Sequence, residues 1–89
     1  MVVTPYIEFK KENKIIRTFK ECVEEKELVW HRDKRNRTVE VIHSDGWMFQ
    51  LDNEYPKELK EGDCFFIPKN TYHRIIKGKK DLVVSIIED

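Results

Sequence analysis

The chain has 89 residues, fewer than the roughly 100–150 of an average domain, and predicts one small domain over 1–89. Its 17 basic and 17 acidic residues cancel, which argues against a general nucleic-acid or membrane surface and predicts neither as a partner. No apolar run approaches the roughly 18 residues of a membrane span, no leader is visible, and the two cysteines lack C-x-x-C spacing, so the chain reads as cytoplasmic with reduced thiols.

Residues 1–26 are expected to supply N-terminal strands and a connecting segment. A short strand over 6–9 leads into the charged turn "KKEN", and "KIIRTF" (14–19) is a second strand. "KECVEEKE" (20–27) reads as a helical turn or a loop. "ELVWHRD" (27–33) is rich in β-formers, and "RTVEVIH" (37–43) alternates apolar and polar residues. Asp45-Gly46 predicts a hairpin into "GWMFQLD" (46–52). After the break at "DNEYP" come a brief extended "KELK", then "CFFIP" (64–68), "YHRII" (72–76) and "LVVSII" (82–87). The last two are divided by the Gly78 turn, where "KGKK" reads as solvated rather than as a basic patch. Turn-separated short strands without a long amphipathic helix predict an all-β sandwich or barrel. Trp47, Phe49, Phe65 and Phe66 are assigned to core and dimer surface, and Cys64 to a buried, inert thiol.

Side chains alternate along a strand, so an extended 27–33 sends Val29, His31 and Asp33 one way and Leu28, Trp30 and Arg32 the other. A histidine and a carboxylate two residues apart converge on one point. His73, opening a later strand, can complete a two-histidine, one-carboxylate face, which leaves open positions and suits iron(II) or similar ions. The competing reading is a polar interior in which Asp33 pairs with Arg37 and the histidines are hydrogen-bonded. Glu40 and His43 are outside candidates for a further ligand.

"GDCFFIPKNTYH" (62–73) resembles the second motif of the cupin family: glycine, five residues, proline, a small turn, histidine. Gly62, Pro68 and His73 fall at that spacing. Asn70 replaces the usual glycine, which asparagine's tolerance of left-handed backbone allows, and Lys77 replaces a terminal asparagine. "HRDKRNRTVEVIHSDG" resembles the first motif, with His31 in place, Asp33 at the second histidine, and Arg37 or Thr38 in the glutamate slot.

The resemblance implies a small cupin-like antiparallel β-barrel (a double-stranded β-helix or jelly roll), of a kind also found in bacteriophage genomes. It implies a homodimer, a divalent metal (iron, manganese, nickel or zinc) on His31, Asp33 and His73, and a small-molecule ligand, either a sugar or a small acid. Arg37, Tyr72 and Arg74 are the ligand-binding candidates at the mouth, although alternation sends Arg74 outward. The altered glutamate slot keeps a second function open, a non-catalytic, metal-free cupin serving as a dimeric ligand-binding or assembly module. Fold alone does not choose between an enzyme and such a module.

Overall fold

The computed structural model describes residues 5–89, and in it strands of the chain form two antiparallel sheets. The strands are β1 (Ile7–Lys11), β2 (Lys14–Phe19), β3 (Arg37–His43), β4 (Met48–Leu51), β5 (Lys57–Glu58), β6 (Cys64–Ile67), β7 (His73–Ile76) and β8 (Leu82–Glu88). One sheet runs β1-β2-β8-β3-β6 and the other β5-β4-β7. Alternation explains which side chains meet between them. Val39 and Val41 of β3, Leu82, Val84 and Ile86 of β8, and Phe49 of β4 are all buried, while Thr38 and Glu40 are exposed. Trp47 is wholly buried and its indole N–H donates to the Lys80 carbonyl, so the ring is enclosed without stranding its one polar group. Among the described residues no helix is long and apolar enough to cross a membrane.

Two sequence expectations about elements are corrected. Residues 27–33 are not a strand: Glu25–Glu27 is a 3-10 turn, and beyond it only His31 pairs, in an isolated bridge to His73. Pairing stops there because flanking backbone groups are engaged elsewhere. The Val29 carbonyl lies 3.1 Å from His31 Nδ1, and the Asp33 carbonyl accepts the Asn70 N–H at 2.6 Å. Asp45-Gly46 does turn the chain, with Gly46 at φ +80°, but no hairpin follows. Both edges of β3 are filled by β6 and β8, so the chain leaves for the other sheet, where β4 pairs with β5 and β7. Gly78 packs against that corner, and a Cβ there would collide with the Asp45 carbonyl and with Trp47.

Both cysteines are free and exposed, which corrects the buried assignment of Cys64. On β6 the inward parity belongs to Phe65 and Ile67, so Cys64 and Phe66 face out. The stretch from β6 to β7 crosses between the sheets. Asn70 turns it at φ +61°, the left-handed conformation expected of it.

Candidate metal centre and its pocket

The crossing brings the two candidate motifs together. His31 and His73 exchange both backbone hydrogen bonds, at 3.0 and 2.8 Å, which places their rings 4.3 Å apart in an edge-on arrangement. Asn36 holds the same loop to the turn, its Oδ1 accepting the Lys69 N–H at 2.8 Å. Asp33 is thereby fixed beside the pair. One ligating atom from each of His31, Asp33 and His73 lies within 4.8 Å of the others.

The two rings are oriented by the same local device. His31 Nδ1 sits 3.1 Å from the Val29 carbonyl and His73 Nδ1 2.9 Å from the Thr71 carbonyl. A carbonyl only accepts, so each Nδ1 carries a proton, which leaves Nε2 as the nitrogen whose lone pair a metal can take. Metal-bound histidines are characteristically held in this way. His73 is buried, and desolvation of its ring lowers its pKa below the ordinary value, with the neighbouring His31 acting in the same direction. The Thr71 carbonyl and Asp33 work against that shift without reversing it.

Asp33 Oδ2 is shut away from solvent and accepts no hydrogen bond of proper geometry. His73 Nε2 lies 3.3 Å away and Arg37 Nη1 3.2 Å away, close enough for charge attraction but not aligned as donors. With His73 neutral, one lone pair faces another across that gap. A shielded carboxylate oxygen grouped with two imidazole rings oriented in this way is a donor set for a divalent ion, so the residues fit a metal.

Arg37, rather than the exposed Thr38, points inward at the glutamate slot. Register puts it directly opposite Glu88 of β8, whose Oε2 accepts from Nε at 2.8 Å and lies 2.8 Å from Nη2 in an ion pair. Its positive charge is therefore answered before it reaches Asp33. Sequence reasoning missed Glu88. The strand's parity with Val84 and Ile86 points it inward, but its pairing with Arg37 requires the β3–β8 register.

The other candidates lie elsewhere. Arg74 donates to Gln50 at 2.9 Å and lies over the Trp30 ring, while Arg32 lies over Tyr72. Neither Tyr72 nor Arg74 lines the cavity behind the triad. A β-bulge after Val41 directs His43 to the Asp81 carbonyl at 2.9 Å, and Glu40 is exposed. That cavity lies between the sheets, holds about 400 Å³, and is walled by Tyr6, Phe19, Leu28, Phe49, Phe65 and Ile75 among others. Phe49 links it to the triad, its ring 5.7 Å from His73 and 4.6 Å from Phe65.

No family model matches the sequence, and no curated protein matches it. Solved structures do. A cupin domain from Bordetella pertussis Tohama I is 15% identical, with 100% of this chain and 98% of that one covered at a TM-score of 0.60. A protein containing a cupin-2 domain, from Shewanella frigidimarina, is 18% identical over 91% of this chain and 76% of its own, at 0.63. The Fe(II) form of HppE with an alternative substrate is 16% identical at 0.64, covering 85% of this chain, which spans only 41% of the HppE chain. The molecule is all-β and has the cupin fold, a small jelly-roll barrel.

Proposed function

We propose that this cupin-fold barrel holds a divalent metal ion on His31, Asp33 and His73 and binds a small molecule in the cavity behind it. The observation that carries the reading is Asp33 Oδ2, buried without a hydrogen bond and grouped with two histidines whose rings are held from behind through Nδ1. Two histidines and one carboxylate favour iron(II), with manganese, nickel and zinc as alternatives, and the Fe(II) form of HppE among its structural neighbours supports this. A bound ion would supply Lewis acidity at positions the protein leaves open. The chain's own groups then divide the remaining work. His31 and Asp33 ride on one loop, His73 on β7, and Arg37 lies beside them as the cation available to a ligand.

Titration calorimetry with Zn(II) should give one site on the wild type and a loss of about tenfold or more in affinity for Asp33→Asn, which keeps the shape and removes the charge. Equal affinities would overturn the assignment. A metal-free binding module is the second reading, favoured by the Arg37 contact with Asp33. It wins if the wild type binds no metal and Arg37→Glu, which restores the usual ligand type, does.

A further inference from the structure

The cavity's chemistry narrows the ligand beyond the reading just given, on which this inference rests. Its polar groups are gathered in one cluster: His31, Asp33, His73 and Arg37, the last tied to Glu88. Arg17 and Glu27 also border it, but Arg17 is held by Glu8 at 2.7 Å and lies over the Tyr6 ring, and Glu27 is exposed. Beyond the cluster the walls are aliphatic and aromatic, with Phe49 and Phe65 running inward from His73. A sugar, with a hydroxyl on almost every carbon, would strip most of those hydroxyls of water against walls that are mainly aliphatic and aromatic. A hydrocarbon or aromatic body loses nothing there and gains from burial.

Charge fixes the other end. Asp33 and Glu88 are negative and Arg37 is positive, so with neutral histidines the cluster carries one net negative charge. A divalent ion reverses it to one net positive charge, which a single anionic group neutralises. Arg37 has N–H groups beyond the one given to Glu88, and a carboxylate is the acceptor its planar fork suits.

We infer that the site takes an amphipathic monocarboxylate, its carboxylate between the metal and Arg37 and its apolar body along Phe49, Phe65 and Leu28. Three probes separate head from body: octanoate has both, glucuronate keeps the charge on a polyhydroxyl body, and 1-octanol keeps the chain without the charge. Calorimetry on zinc-loaded protein should find octanoate bound about tenfold or more tighter than either of the others. Arg37→Gln should weaken octanoate by about tenfold and leave 1-octanol unchanged, with Arg37→Lys as the second variant if the first does not fold. Leu28→Asn, on a half-buried loop residue, should weaken both. Glucuronate binding as well as octanoate would overturn the inference, as would loss of octanoate on Arg17→Gln instead of Arg37→Gln. Octanoate bound equally with and without zinc would overturn the placement of its head. Zinc uptake alone tests the metal: a protein that takes up zinc but shows no preference for octanoate refutes the ligand class and leaves the metal site standing.

Discussion

At His73, burial favours the neutral form that ligates metal, and the hydrogen bond to the Thr71 carbonyl opposes that shift without reversing it. The same facts predict a pH dependence of stability. The unfolded chain's imidazole protonates at about 6.5, whereas the folded one does so only at lower pH, so the unfolded state binds the extra proton first. Stability of the metal-free protein should therefore be full above about pH 6.5 and fall as the pH drops towards the folded value. Urea midpoints across that range check this, and His73→Asn should flatten the slope. Arg37 gives a second residue-scale test. Arg37→Met removes the cation beside Asp33 but strands Glu88, so zinc affinity should rise while stability falls by about 1–3 kcal/mol. Calorimetry and urea unfolding on the same variant separate the two effects. The grouping of His31, Asp33 and His73 was reached from the sequence through the motif spacings, although the strand assumed over 27–33 to align His31 with Asp33 is not there. Glu88 was not, because its role exists only across a strand pair 51 residues apart in sequence.

Among the elements, β2 and β3 were legible because each is rich in β-formers, and β3 alternates over most of its length besides. The segment 27–33 has β-formers too, yet it fails as a strand. Val29 and Trp30 are 59% and 40% exposed, and local propensity does not say whether a segment finds a strand to pair with. Asp45-Gly46 misled for the same reason: the dipeptide specifies a tight turn, not which strands pair across it. The left-handed turn at Asn70 was read correctly, and it matters because its N–H holds the Asp33 carbonyl. Asn70→Gly should fold as well as the wild type. Asn70→Val, forced to φ +61°, should cost about 1–2 kcal/mol and also weaken zinc binding by displacing Asp33. Thermal melts with parallel zinc titrations measure both.

For the whole molecule, the outer face of the larger sheet raises the question of assembly. Strand register aligns Ile7 and Phe9 with Thr18 and Ile16, then with Val83 and Ser85 of β8, and Ile87 with Thr38, whose other neighbour is Phe66. Ile7, Phe9, Ile42 and Phe66 remain 61%, 62%, 45% and 51% exposed. An apolar sheet face of this kind marks an interaction surface, and the expected state is a homodimer. Light scattering should give twice the chain mass, and Phe9→Lys with Phe66→Lys should return a monomer. A wild-type monomer at high micromolar concentration contradicts it.

The proposed function rests on His31, Asp33 and His73, and metal content tests it most directly. Protein carrying no histidine tag, grown and dialysed in medium supplied with iron, manganese, nickel and zinc, should contain about one ion per chain by elemental analysis, and His73→Ala should contain essentially none. Equal metal in the two proteins, or none in either, would contradict the account.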